Sequence, residues 1–267
     1  MIPFVDLYRA LIRIGILGQI QYRASGAIWM IGAILEPVIF LVVWSTVARS
    51  NGGSVGGFDA SQFAAYYLIL MLVNHLTFSW IMQVFQFRVQ QGALSAELLR
   101  PVHPIHADLA DNVSYKFVMM VVLLPSLLVL MVLFEPRFEF DTPVIVFFLP
   151  ALVLAFLTRF FLEWTLALAA FWTTRVTAIN QAYFSIAMFL SGRVAPMALM
   201  PLWLQDVAHV LPFYYTIAFP VELAMGTLSV ADAWRGIAMQ LLWLVIAIAI
   251  IVSVWRAAVK RYSAVGS

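Results

Sequence analysis

Six apolar runs, near 27–48, 61–82, 117–134, 144–172, 178–200 and 233–255, constrain this chain more than anything else in it. Each is close to or above the roughly 20 residues that an α-helix needs to cross about 30 Å of hydrocarbon. With 64% hydrophobic and 10% charged side chains in 267 residues, a water-soluble core cannot bury so much apolar surface, whereas lipid removes the need to. Strands are disfavoured by the pattern. LVLAFL and LLWLVIAIAIIVSVW are apolar all round, where a barrel strand alternates apolar and polar positions. The expected fold is an all-α membrane protein with six transmembrane helices, forming a single domain over residues 1–267.

Residues 4–24 (FVDLYRALIRIGILGQIQYRA) differ from the spans, because Asp6, Arg9 and Arg13 interrupt an apolar pattern at helical spacing. That pattern predicts an amphipathic helix lying in the interface, retained in the mature protein because no small-residue cleavage site follows. A cytoplasmic N-terminus gathers Arg9, Arg13, Arg23, Arg88, Arg100, Lys116, Arg175, Arg256, Lys260 and Arg261 on one side, against Arg49, Arg137, Arg193 and Arg235 on the other. The positive-inside rule therefore favours both termini in the cytoplasm. On the outer side, 49–60 reads as a glycine-rich turn and 135–143 as a short acidic one. A net charge of +2 is too small to suggest a nucleic-acid partner. The absence of cysteine excludes disulfides, thiolate metal sites and cysteine nucleophiles.

Two connections are longer than turns need to be. The cytoplasmic stretch 83–116 is the most polar part of the chain, and Gly92, Pro101 and Pro104 punctuate it. A short helix near 93–99 should stop before Pro101, since the residue preceding proline is pushed out of the α region. A second short helix is expected from about Asp108. The stretch is either a solvated loop on the headgroups or a docking element. The other connection, 193–232, is apolar but broken by Pro196, Pro201, Pro212 and Pro220. It predicts short helices that dip into the outer leaflet and return, which requires cover from protein or a water-filled cavity.

The interfacial helix, six spans, the segment GALSAELLRPVHP (92–104) between spans 2 and 3 and a re-entrant pair before span 6 together resemble the permease subunit of an ABC transporter of the type 2 exporter class, a bacterial six-span family. LLRPVHP (98–104), SGRVAPMALMPLWL (191–204) and FPVELAMG (219–226) look like that family's recurring phrases. The resemblance covers essentially the whole chain. It implies a substrate pathway in the bacterial cytoplasmic membrane, shared with a second permease, homologous or identical, and powered by a separate ABC ATPase dimer that carries ATP and Mg. This chain has no G-x-x-x-x-G-K-[ST] phosphate loop, so no cofactor of its own and no enzymatic activity are expected. By similarity, the segment near 92–100 seats against the ATPase, with Arg88, Glu97, Leu98, Leu99 and Arg100 at or beside the contact.

Ionisable residues at membrane depth are costly and so are candidates for function, with structural pairing as the usual alternative. Arg159 and Glu163, four apart in span 4, share a helical face and pair with each other or serve the pathway. Glu36 precedes Pro37 in span 1, at a hinge or a locally satisfied kink. Asn74 and His75 in span 2 line a polar passage or hydrogen-bond across a helix interface. Glu36, Glu163 and His75 would also be the proton-coupling groups of the competing class, a secondary transporter. His103, His106, Asp108 and Asp111 carry metal-ligating groups within nine residues, but Pro104 separates the histidines and the spacing makes no helical ligand pair; no metal site is expected.

Overall fold

The computed structural model describes residues 4–138, 142–173 and 176–261. Helix α1 (Phe4–Gln21) ends at Tyr22, and α2 (Arg23–Ser50) follows, so the last residues of the expected interfacial helix belong to the next one. A hairpin of two-residue strands, β1 (Ser54–Val55) and β2 (Phe58–Asp59), turns on Gly56 and Gly57 at positive φ, the conformation that a two-residue hairpin loop demands. Asp59 then caps α3 (Ala60–Thr77) in a reciprocal capping box with Gln62. The Ser61 hydroxyl and the Gln62 N–H hold the Asp59 carboxyl below the usual carboxylate range.

The long polar segment 83–116 resolves mostly into ends of membrane-length helices. After a break at 78–80 the chain resumes as α4 (Ile81–Gln90), turns at Gly92, forms the short helix α5 (Leu94–Leu98), and re-enters at α6 (Pro104–Phe134). The second helix expected near Asp108 is instead the first turns of α6. Pro104 sits at its first position, where a missing N–H costs nothing, and the His103 ring accepts the Ile105 N–H at 3.2 Å. The polarity of 83–116 thus belongs mostly to the ends of α4 and α6 and to α5 between them.

Helices α7 (Thr142–Ile145) and α8 (Phe148–Ala167) follow, the latter extended by a 3₁₀ turn, Leu168–Phe171. Next come α9 (Val176–Leu190), a 3₁₀ turn at Met197–Leu199, α10 (Leu202–Val210), α11 (Pro212–Thr216), α12 (Ala218–Ala224) and α13 (Val230–Arg261). Five stretches among the described residues are long and apolar enough to cross a membrane: α2, α3 with α4, α6, α8 with its 3₁₀ turn, and α13. The sixth expected span, 178–200, is helical only to Leu190. Gly192 turns there at φ +78 and Pro196 follows. At 1.5 Å per residue, the 15 residues of α9 reach about 22 Å, short of the hydrocarbon thickness. Arg175, assigned above to the cytoplasmic side, lies outside the described residues.

Helices α3 and α8 form the centre. Phe63, Tyr66, Tyr67, Leu70 and Val73 of α3 are buried around the helix against Leu41 and Ala48 of α2 and Val221 of α12. Around α5, Phe85 of α4, Leu94 of α5, Phe160 and Trp164 of α8 and Ile251 and Ala258 of α13 make a second core. Helix α1 lies along the first half of α6, with Gly15 against Ser114, whose hydroxyl donates to the Ile12 carbonyl at 3.1 Å. On the periphery, Phe117, Val121, Leu124, Leu128 and Val132 of α6 and Leu241, Val245, Ile248 and Val252 of α13 point outward at helical spacing. Such faces are intolerable in water and ordinary in lipid.

The packing of α13 on α12 is close. A Cβ on Gly236 would overlap the ring of the buried Phe219 of α12. Gly236→Ala should therefore cost about 1–3 kcal/mol through overpacking, read as a fall in the temperature at which the detergent-solubilised protein loses monodispersity. Phe219→Leu in the same chain should recover part of the loss.

Candidate functional site

At the middle of the bundle, one guanidinium joins the two central helices. Arg159 of α8 donates from Nε to Glu163 Oε1 at 2.8 Å, and from one terminal nitrogen to Asn74 Oδ1 at 3.1 Å and Thr77 Oγ1 at 3.2 Å, both on α3. Arg159 and Glu163 are almost fully buried, at 3% and 0% side-chain exposure. The i, i+4 spacing puts the pair on one face, and the break after Thr77 brings the polar end of α3 to meet it. Lys116 of α6 is buried beside them. Its ammonium donates to the Phe78 carbonyl, which the break leaves without an intrahelical donor, at 2.6 Å, and lies 4.2 Å from the centre of the Phe156 ring. His75 turns away from Arg159 and meets the Lys116 carbonyl at 3.1 Å.

The structure thus brings Asn74, Arg159 and Glu163 into one network and attaches His75 through Lys116, a residue that positive-inside counting assigns to the cytoplasmic edge. Buried ions need this density of partners, because desolvation otherwise costs more than one contact returns. Glu163 Oε2 is buried without a protein hydrogen-bond partner among the described residues.

Glu36 is held separately. One terminal nitrogen of Arg193, beyond the end of α9, donates to both its oxygens at 2.7 Å. This ion pair closes a cavity of about 240 Å³ between α2, α3 and α6, into which Asn74, His75, Phe78 and Tyr115 also face. Helix α2 runs on through Pro37. Ala33, whose carbonyl the proline leaves without its helical donor, borders the same cavity.

Around α5 the five residues expected at an ATPase contact divide into two groups. Arg88 turns inward: it donates to Glu97 of α5 at 2.8 Å and to Asp108 of α6 at 2.6 Å, while the second oxygen of Asp108 accepts the indole N–H of Trp164 on α8 at 2.9 Å. Leu98 packs on the core beneath α5. Leu99, 88% exposed, and Arg100 project outward. The residues with metal-ligating groups disperse to separate partners. His103 caps α6 and lies against Trp255 with centroids 4.5 Å apart, and its burial lowers its basicity, with His106 adding to the effect. His106 meets the Tyr8 hydroxyl at 2.8 Å, and Asp111 accepts from Gln19.

Among the helices α10 to α12, Met197, Gln205, His209 and Glu222 border a cavity of about 270 Å³, and Tyr214 donates to Glu222 at 2.6 Å. The sequence shows Glu222 only as part of FPVELAMG, and its charge among the apolar side chains of that phrase is the signal that marks it. No curated protein and no solved structure gives a significant match to this chain. A family profile described as ABC-2 family transporter protein matches residues 34–266, which takes in all five membrane-length stretches apart from the first turns of α2, together with α5 and the outer helices. The chain belongs to the ABC-2 family of transporter proteins, as a multi-pass membrane permease.

Proposed function

We propose that this chain is one transmembrane half of an ATP-driven exporter, forming the substrate pathway with a second permease and powered by a separate ABC ATPase dimer holding ATP and Mg. It is placed in the bacterial cytoplasmic membrane with both termini inside. Helix α9 and the following residues to 200 make the sixth crossing, and α10 to α12 are the re-entrant cover of an outer vestibule. The observation that carries the reading, beside family membership, is α5: a short helix braced from within by Leu94, Leu98 and the Arg88 pair, and offering Leu99 and Arg100 outward. A helix held rigidly from behind, with an apolar side chain at its tip, suits docking against a partner that must push on the spans.

The alternative of a proton-coupled carrier draws no support from the candidate carboxylates. Glu36 and Glu163 are each held in an ion pair with an arginine.

Mild-detergent extraction from the native membrane, with partner identification and ATP hydrolysis measured on the eluate, tests the reading. An ATPase and a second six-span chain should be recovered. Leu99→Asp should lower ATPase recovery at least about tenfold, the scale of a lost interface anchor, while the variant remains monodisperse. Leu98 is unsuitable for this test, because a charge there enters the core. Undiminished recovery would remove α5 from the contact.

A further inference from the structure

A second chamber, open on one side, adjoins the Glu36 cavity. It occupies about 480 Å³ among the end of α1, the start of α2, α4 and α6. Trp29, Trp80 and Tyr115 border both spaces. Their rings interlock edge to face, Trp29 to Trp80 with centroids 4.9 Å apart and Trp80 to Tyr115 at 6.2 Å, so these three side chains form a wall common to both chambers.

The walls of the second chamber have a definite chemistry. Tyr22 adds a fourth aromatic ring, and Gln19, Gln83 and Asn112 supply neutral amides. Asp111 is the charged residue in the lining, which contains no lysine or arginine. Its hydrogen-bond partner is the uncharged Gln19 amide at 3.2 Å. The nearby cations are engaged elsewhere: Arg88 with Glu97 and Asp108, and Lys116 with the carbonyls of Phe78 and Asn112. A carboxylate without an ion-pair partner, among ring faces that carry negative potential, is complementary to an organic cation and repels an anion of the same shape. The volume lies within the range of small-molecule sites.

We propose that this chamber is a loading site for a lipophilic organic cation, with Asp111 as its counter-charge and Trp29, Trp80 and Tyr115 as the constriction a cargo must turn aside to reach the Glu36 cavity. The inference takes its purpose from the exporter reading, but binding is a property of this chain alone.

The test uses two ions of nearly the same size and shape and opposite charge, tetraphenylphosphonium and tetraphenylborate, in equilibrium binding to the full chain in zwitterionic-lipid nanodiscs, with empty nanodiscs subtracted. The cation should bind saturably and about tenfold more tightly than the anion. Asp111→Asn should weaken the cation about tenfold and leave the anion unchanged; Asp111→Glu should preserve the preference, and Trp80→Leu should weaken the cation. Equal affinity for the two ions, stronger binding of the anion, no saturable binding of either, or an Asp111→Asn variant that binds as the parent does would each overturn the proposal. Failure to recover an ATPase partner would instead overturn the exporter reading and leave a positive binding result intact.

Discussion

Arg159→Met should destabilise the protein by about 3–5 kcal/mol, because it leaves the carboxyl of Glu163 in a dry interior without its ion-pair partner. Thermal loss of monodispersity in detergent reads this out, and the double variant Arg159→Met, Glu163→Leu should recover most of the stability, since two apolar side chains of similar volume replace an ion pair at little net cost. The tie to α3 adds to the effect of the single change, as Asn74 and Thr77 lose their common donor. A double variant no more stable than the single one would show that the network holds the fold by its hydrogen bonds across helices rather than by compensating a buried charge.

Arg88→Met should have the second largest effect, with a readable locus. It separates α5 from α6 by removing the bridge between Glu97 and Asp108, at about 3 kcal/mol, the lower end for a broken buried pair because Glu97 keeps a quarter of its side chain exposed. Backbone amides of Leu94–Arg100 should then exchange hydrogen at a rate close to that of an unprotected loop, while those of α8 and α13 stay protected. Unchanged protection of α5 would mean that Leu94 and Leu98 alone hold it in place. Asp108→Asn, which keeps the shape and the Trp164 contact, should fall between parent and Arg88→Met.

The legibility of this protein from its sequence follows the range of the forces involved. Hydropathy is a property of a short window, so the apolar runs, the short helix before Pro101 and the proline-broken outer helices are readable one segment at a time. The pairing of Arg159 with Glu163 is readable for the same reason, since both lie on one turn. What escapes is set by contacts across the chain. Arg88 and Arg100 look alike as basic residues flanking a helix, yet Asp108, twenty positions away, draws Arg88 inward. Leu98 and Leu99 are neighbours of one type, and 100° of helix rotation sends one to the core and the other to solvent. Glu36 meets Arg193 across 157 positions, and Lys116 is buried because helix α3 breaks at the position where it supplies a carbonyl. The short α9 shows the limit of apolar length as a criterion: residues 191–200 remain apolar enough to lie in a membrane while glycine and proline end the helix within them.

The segment after α9 is fastened in an unusual manner. The Tyr66 hydroxyl donates to the Gly192 carbonyl, and the Tyr67 hydroxyl and the Trp44 indole N–H both donate to the Val194 carbonyl, all at 2.7–2.8 Å. These three bonds grip main-chain oxygens, which every amino acid possesses. Gly192 itself is bound to its place, because a Cβ would come within 2.6 Å of the Tyr66 oxygen, but the identities of residues 193 and 194 are not what the anchors read. Residue 193 borders the Glu36 cavity. A change of side chain at 193 would therefore take away the partner of Glu36, and with it alter the polarity of the compartment, while the grip on the main chain at 192 and 194 stays as it is.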